Sequence, residues 1–108
     1  MKINIKATNL ELTPAITEYI NNKISSVDKF LKKFEEQTNI EIFVEIARTT
    51  RHHHKGDVFR AEANMEVPGK ILRADHEDWD IRVAIDKVKD KLQQEIKKYK
   101  GIRADKRK

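Results

Sequence analysis

Residues 56–99 constrain the fold of this chain more than any other segment, because two strand-like runs meet at a tight turn and lead into one long amphipathic helix. The turn is Val67-Pro68-Gly69-Lys70. Proline fixes φ at its second position and glycine accepts a positive φ at its third, which favours a type II turn. Such a helix needs an apolar surface to cover, and paired strands provide one. The apolar residues that recur on one side of the helix, at 100° per residue, are Ile81, Ile85, Val88, Leu92, Ile96 and Tyr99.

The opposite side of this helix carries a row of basic and neutral polar residues. The acids of the helix fall on the flanks of that row, so the spacing predicts lysines that are unpaired along their own row. This pattern suits a polyanionic partner. A solvated helix face that binds nothing is the alternative, since most lysine-rich surface helices have no ligand. The row consists of Lys87, Lys91, Gln94 and Lys98.

A second amphipathic helix is predicted over residues 13–34. Thr13 is a good N-cap, and Pro14 suits the first helical position, where its missing N–H costs nothing. The outer face again lacks an acid in its row, so the two helices share one polar-basic design. The apolar stripe is Ile16, Ile20, Ile24, Val27, Leu31 and Phe34, and the outer row is Asn22, Ser26, Lys29 and Lys33.

Four segments predict strands, at residues 1–8, 39–49, 59–67 and 70–75, and the first three alternate between apolar and polar side chains. Residues 76–79 are predicted to be the entry loop of the last helix, with Asp80 as its N-cap. The predicted fold class is therefore α+β, in the order β-α-β-β-β-α. We expect a four-stranded, mainly antiparallel sheet with the two helices packed side by side on one face. That packing would join the two polar-basic helix faces into one surface.

The net charge of +5 is concentrated at the C-terminus, because residues 97–108 contain seven Lys or Arg and one Asp. We expect one domain over residues 1–100 and a basic, disordered tail over residues 101–108, which would add to the attraction for phosphate backbones. No apolar run is long enough to cross a bilayer, no signal peptide precedes the first strand and no cysteine is present. These features predict a soluble cytoplasmic protein with no membrane partner.

Metal binding and catalysis have little support. The histidine triplet 52–54 would place two imidazoles on one face, which falls short of a closed zinc site, and with Arg51 and Lys55 it is better interpreted as a basic hairpin tip. The acidic cluster at residues 75–80 lacks the spacing of a calcium loop, and helix capping explains it. No Gly-rich phosphate loop, catalytic triad or HExxH motif is present. The sequence therefore indicates a protein that is not an enzyme, with no cofactor and no metal.

Two aromatic residues have open interpretations. Trp79 either stacks on a base, as aromatic residues do in single-strand binders, or packs on the core as a hydrophobic staple at the helix entry. Phe43 falls on the sheet face that we expect to be open to solvent, where it is either a partner contact or a cross-strand neighbour.

Five segments occur in a characteristic order. They are Leu10-Glu11-Leu12-Thr13-Pro14-Ala15-Ile16, Arg60-Ala61-Glu62, Val67-Pro68-Gly69-Lys70-Ile71-Leu72-Arg73-Ala74, Asp80-Ile81-Arg82-Val83-Ala84-Ile85-Asp86 and Asp90-Lys91-Leu92-Gln93-Gln94-Glu95-Ile96-Lys97-Lys98-Tyr99-Lys100. Together they resemble the ribosome hibernation-promoting factor family, also called ribosome-associated inhibitor or sigma-54 modulation proteins. The resemblance implies the same fold. It also implies binding over ribosomal RNA in the decoding channel of the small ribosomal subunit, at the mRNA and tRNA sites, where the protein would inhibit translation and protect idle ribosomes.

The resemblance and the two basic rows identify the residues expected to contact RNA. Arg82 stands where the family often carries an aromatic residue. The chain resembles short family members, some of which favour paired ribosomes while others block pairing, so ribosome dimers stay open as a partner. The helix residues are Asn22, Lys23, Ser26, Lys29, Lys33, Arg82, Lys87, Lys89, Lys91, Gln94 and Lys98, and the candidate loop contacts are Arg51, His52, His54 and Lys55.

A free-standing double-stranded RNA-binding domain is the alternative, because its αβββα core has a similar order. Such domains typically place a Lys-Lys-x-Ala-Lys cluster at the start of the last helix. Here that helix starts Asp80-Ile81-Arg82-Val83, which argues against the alternative. An enzyme is a third hypothesis, and the lack of a convergent catalytic set argues against it.

Overall fold

A computed structural model describes residues 1–31, 40–49 and 58–106 of the chain. Its elements follow the predicted order, with one 3₁₀ helix added after the first α-helix, and the α+β class is confirmed. The elements are β1 (Lys2–Thr8), α1 (Pro14–Ser25), the 3₁₀ helix (Ser26–Phe30), β2 (Glu41–Thr49), β3 (Val58–Val67), β4 (Lys70–Asp78) and α2 (Ile81–Lys106).

The four strands form one mixed sheet in the order β1-β2-β3-β4. Strand β1 pairs with β2 in parallel, from Lys2 opposite Glu41 to Thr8 opposite Ala47. The β2–β3 and β3–β4 pairings are antiparallel, so the prediction of a mainly antiparallel sheet is confirmed. The parallel pairing follows from the connection, because α1 carries the chain back over the sheet between β1 and β2, as a parallel crossover requires.

Both helices pack side by side on one face of the sheet, as predicted, and the core lies between the two layers. Alternate residues of the strands point into it, and both predicted helix stripes contribute to it. Among the residues that the structure describes, no polar or charged residue is buried. The largest fully buried side chains are Ile20, Ile24, Val27, Leu31, Ile40, Ile42, Ile46, Met65, Leu72, Ile85, Leu92 and Ile96.

Local signals set the helix starts and the tight turn. Thr13 Oγ1 accepts a hydrogen bond from the backbone N–H of Ile16 at 3.2 Å, and Asp80 Oδ1 accepts one from Arg82 at 2.8 Å. Both are N-cap bonds that satisfy donors left open by the first helical turn. Gly69 has φ +78°, as the third position of a type II turn requires. The predicted caps and the predicted turn are confirmed.

The first helix differs from its prediction, because α-helical geometry ends at Ser25 and a 3₁₀ helix follows, whereas the sequence predicts one helix to Phe34. Ser25 Oγ donates to the carbonyl of Asn22 at 3.2 Å. Ser26 Oγ donates to the carbonyl of Lys23 at 2.5 Å. Serine hydroxyls that bond back to the preceding turn compete with regular α-helical hydrogen bonding, so they favour the change of geometry here. Phe34 itself lies outside the described residues.

Strand β4 is longer than predicted. It runs to Asp78, so the prediction of a strand that ends at residue 75 and of a loop over residues 76–79 is wrong at residues 76–78. Those three residues pair with residues 59–61 of β3. An edge strand keeps one side free and tolerates charged side chains, so the polar sequence does not end the pairing.

Helix α2 continues to Lys106, through the first six residues of the predicted disordered tail, residues 101–108. Arginine, alanine and lysine have high helix propensity, and they outweigh the cost of Gly101. Near this end of the core, Tyr99 Oη donates to the carbonyl of Pro68 at 2.6 Å. This bond joins α2 to the β3–β4 turn.

The sheet face opposite the helices carries a charged network. Arg60 donates to Glu62 Oε2 and to Asp75 Oδ2, each at 2.7 Å, and Asn64 Nδ2 donates to Glu62 Oε1 at 2.9 Å. The hydrogen bond from Asn64, followed by that from Arg60, lowers the pKa of Glu62 below its usual value. The hydrogen bonds that Arg60 donates to Glu62 and then to Asp75 raise the pKa of Arg60. The ionised Glu62 carboxylate therefore stabilises the folded state.

Replacing Glu62 by Gln should lower the free energy of unfolding by about 1 kcal/mol at pH 7, because two bonds to a charged acceptor are weakened. A carboxyl whose folded pKa is lowered stabilises the fold above its unfolded pKa and loses that contribution as the pH falls through its folded pKa. The difference in the free energy of unfolding between the native protein and the variant should therefore decrease below pH 4.5 and disappear at lower pH. Urea unfolding from pH 7 to pH 2.5 measures it. A gap that is independent of pH would contradict this assignment.

Candidate nucleic-acid interface

The outward sides of α1, the 3₁₀ helix and α2 form one continuous surface, called here the helix surface. Both helices pack on the same sheet face, so both predicted polar-basic rows belong to this helix layer, although Lys91 of the α2 row is bonded to β4 rather than turned toward α1. All the predicted contacts within the described residues are exposed or half-exposed. They are Asn22, Lys23, Ser26, Lys29, Arg82, Lys87, Lys89, Lys91, Gln94 and Lys98, while Lys33, Arg51, His52, His54 and Lys55 lie outside the described residues.

Tyr19 joins the two helices near the start of α2. Its hydroxyl donates to Asp86 Oδ1 at 2.7 Å. Lys23 Nζ and Arg82 Cζ lie 5.6 Å and 5.5 Å from the centroid of the Tyr19 ring, and Lys23 also pairs with Asp86 at 3.6 Å. The hydrogen bond to Asp86 raises the pKa of Tyr19, so the phenol stays protonated and keeps donating. One ring thus positions a cation from each helix.

Phe30 repeats this arrangement further along the surface. Lys29 Nζ lies 5.3 Å from the centroid of its ring and Lys97 Nζ lies 5.8 Å from it. Lys29 comes from the 3₁₀ helix and Lys97 from α2, so this pair also spans the two helical segments. We call the two groups the Tyr19 cluster (Tyr19, Lys23, Arg82 and Asp86) and the Phe30 cluster (Phe30, Lys29 and Lys97).

The two clusters show that α1 and α2 run in the same direction, since the earlier residues of both helices meet at Tyr19 and the later ones at Phe30. The helical rise between the two rings separates the clusters by roughly 18 Å. A row of cations therefore follows the groove between the helices. Each cluster can neutralise phosphates of a nucleic-acid backbone.

Tyr19, Phe30 and Lys97 were not predicted from the sequence to be part of this surface. A partial signal was present, because Tyr19 precedes Lys23 by four residues and such pairs meet on a helix. The cations that α2 contributes to both rings leave no signal in the sequence, since their contacts depend on how the helices dock.

The prediction that the α2 lysines are unpaired along their row is wrong for Lys98. Its Nζ lies 3.5 Å from Glu95 Oε1, a pair between residues three apart, which are neighbours on a helix. Lys91 Nζ is also held, because it donates to the carbonyl of Asp75 at 2.7 Å and lies 3.3 Å from Nδ1 of His76. Exposed contacts of this kind contribute about 0–1 kcal/mol, so a phosphate can displace them.

Lys87 matches the prediction of an unpaired lysine, since it forms no ion pair with any other described residue. Lys89 lies 3.0 Å from its neighbour Asp90. The α2 row therefore contains one lysine that is fully available and others that must exchange a weak protein contact for a ligand.

Other kinds of site find no support in the described part of the chain. Among the described residues, no group of three His, Cys, Asp or Glu side chains is placed to hold a metal ion. No helix within residues 1–31, 40–49 and 58–106 is both long and apolar enough to span a membrane. Trp79 is 57% exposed, so the interpretation of Trp79 as a staple on the core is wrong.

Comparison with known proteins finds a family match over nearly the whole chain. Residues 3–104 match the family described as Sigma 54 modulation protein / S30EA ribosomal protein. This match favours that family over the double-stranded RNA-binding domain considered above.

Among curated relatives, the ribosome hibernation promotion factor of Lactococcus lactis is 32% identical over 105 residues, which cover 93% of this chain and 50% of that protein. The ribosome hibernation promoting factor of Klebsiella oxytoca is 30% identical over 100 residues, which cover 93% of this chain and 94% of that protein. The chain thus spans half of one relative and nearly all of another.

Solved structures share the fold. The N-terminal domain of Protein Y from Thermus thermophilus superposes with a TM-score of 0.67 at 26% identity, covering 92% of this chain and 99% of that domain. A ribosomal subunit interface protein from Coxiella burnetii superposes with a TM-score of 0.61 at 23% identity, covering 94% of this chain and 99% of that protein, and this likeness concerns the fold alone.

Proposed function

This chain belongs to the Sigma 54 modulation protein / S30EA ribosomal protein family, and we propose that it is a ribosome hibernation factor of the cytoplasm. It binds the small ribosomal subunit at the decoding channel, over ribosomal RNA, and inhibits translation in non-growing cells. The names of the relatives from Lactococcus lactis and Klebsiella oxytoca support the hibernation role.

The observation that carries this proposal is the row of cations between two parallel helices. Lys23 and Arg82 are positioned on one ring, Lys29 and Lys97 on a second, and each pair draws one cation from each side of the groove. Cations already held near an aromatic face lose less conformational freedom when they meet a phosphate. The groove is therefore a preorganised surface for an RNA backbone.

The mechanism is occupancy. The predicted RNA contacts on the helix surface are lysines, arginine and small polar groups, and none of the described ones is an activated nucleophile or a positioned acid-base pair. A protein seated on the mRNA and tRNA sites excludes both ligands while it is bound. Because the contacts are mainly electrostatic, salt should reverse the inhibition.

Inhibition of translation in vitro should therefore saturate near one protein per ribosome. Excess mRNA and tRNA should relieve it by competition, and a high-salt wash should return fully active ribosomes. The measurement is a titration of the protein into a translation reaction of known ribosome concentration, followed by sedimentation and by analysis of the ribosomal RNA. Inhibition far below one protein per ribosome, with cleaved or modified RNA after the wash, would show that the protein is an enzyme.

A further inference from the structure

The sheet face opposite the helices is a surface that the proposed function leaves unused, and we call it the open face. Among the described residues, both helices pack on the other side of the sheet. The open face has more acids than bases, in contrast to the helix surface. Its acids are Glu41, Glu45, Glu62, Glu66, Asp75 and Glu77, and its bases are Lys2, Lys6, Arg60 and Arg73.

An exposed aromatic ring lies within the open face. Phe43 is 42% exposed and is flanked by Asn4 on β1 and Asn64 on β3. It lines a shallow depression of about 260 Å³, together with Glu45 and Glu62. Phe43 therefore offers an accessible ring face beside carboxylates.

The carboxylates around Phe43 differ in how far they are neutralised. Glu62 is bonded to Arg60 and Asn64. Glu45 accepts a bond from the hydroxyl of Thr8 at 2.7 Å and forms no ion pair with any described residue.

Glu41 likewise accepts a bond only from a neutral group, the amide of Asn4 at 3.4 Å, and forms no ion pair with any described residue. Glu41, Phe43 and Glu45 alternate along β2, so their side chains share one face at intervals of about 7 Å. The three side chains, an acid, an aromatic ring and an acid, thus have the spacing of alternate residues in an extended chain.

We infer that the open face binds an extended, arginine-containing basic protein segment, with one guanidinium stacked on Phe43 and bonded to Glu45 or Glu41. Arginine fits better than lysine because its planar group stacks flat on a ring and donates two parallel bonds to a carboxylate, whereas an ammonium lies over a ring only as a point charge and cannot donate such a pair. An extended segment fits because its side chains alternate with the same period as the strand beneath it. The inference goes beyond the proposed function, since it concerns the side of the molecule away from the RNA-binding groove.

Two labelled nine-residue peptides test this inference without ribosomes, so its failure is separate from failure of the proposed function. One peptide alternates serine with arginine, and the other alternates serine with lysine at equal charge. Fluorescence anisotropy gives their affinities for the whole protein, and amide chemical shifts locate the bound peptide. The arginine peptide should bind about threefold more tightly than the lysine peptide, because only the guanidinium combines flat stacking on the ring with paired bonds to a carboxylate.

Three variants test the separate contributions of the ring and of the carboxylates to peptide binding. Phe43→Leu keeps an apolar side chain but removes the ring, and it should reduce the preference for arginine. The double variant Glu41→Gln, Glu45→Gln should weaken binding of the arginine peptide about tenfold. The control Glu11→Gln, Glu18→Gln makes the same change in net charge at exposed positions outside the sheet and should leave the affinity unchanged.

Three outcomes would overturn the inference. They are equal affinity for the two peptides, shift changes confined to residues outside the open face, and an equal loss of affinity in the double variant and its control. Sedimentation at rising protein concentration tests whether a second copy of the protein binds the open face. Self-association through the open face would show that a second copy, through its basic helix surface, occupies this face instead.

Discussion

Replacing Lys29, Arg82 and Lys97 by Glu should abolish binding to small ribosomal subunits. These three cations line the groove and come from both helical segments. If each neutralises one phosphate for at least about 1 kcal/mol, the triple reversal costs 3 kcal/mol or more, which is a loss of affinity of roughly 150-fold. Cosedimentation with purified small subunits measures the loss.

The fold should survive this triple change, because all three side chains are exposed. A matched control is the triple variant Lys2→Glu, Lys6→Glu, Lys70→Glu, which changes the net charge equally on β1 and β4. The control should retain most of the affinity. Equal losses in the two variants would mean that only net charge matters and that the groove is not the binding surface.

Repeating the binding measurement at several salt concentrations tests the number of phosphate contacts. The logarithm of the binding constant should fall with the logarithm of salt concentration by about 0.7 to 0.9 for each phosphate neutralised. The single variants Lys29→Gln and Lys97→Gln should each remove one phosphate contact. Each should therefore reduce the slope by about 0.7 to 0.9. An unchanged slope would show that the substituted lysine does not touch phosphate.

Replacing Leu92 by Ala should lower the free energy of unfolding by about 2–5 kcal/mol, because it leaves a cavity where α2 meets the sheet. Leu92 is completely buried. Since small domains are stable by only about 5–15 kcal/mol, this variant should unfold at a much lower urea concentration.

Gln94→Ala is the matched control for this core substitution. Gln94 is exposed on the same helix, so the change should shift stability by less than about 0.5 kcal/mol. A loss below about 1 kcal/mol for Leu92→Ala would contradict the described docking of α2 on the sheet.

The features that the sequence predicted correctly are those governed by neighbouring residues. The N-caps at Thr13 and Asp80 and the turn at Gly69 depend on a few adjacent positions, and the structure confirms them. The buried stripes follow from helical periodicity, which is also local. These signals were enough to predict the order of elements and the single covered face of the sheet.

The features that the sequence could not predict depend on contacts between distant segments. The Tyr19 cluster forms only when α2 brings Arg82 and Asp86 against α1. Lys91 is held by a backbone carbonyl of β4, and a carbonyl carries no residue-specific signal. The extra length of β4 comes from pairing with β3, which outweighs the polar character of residues 76–78.

The parallel pairing of β1 also determines the order in which the protein can fold. Every β1–β2 pair joins residues roughly 40 positions apart, whereas β3 and β4 are joined by a tight turn and can pair as soon as both have been made. Contacts between distant residues carry a larger loop-closure cost and slow folding. During synthesis, the first strand of the chain must therefore wait for β2 to emerge, and of the three strand pairings the β1–β2 pairing closes the longest loop.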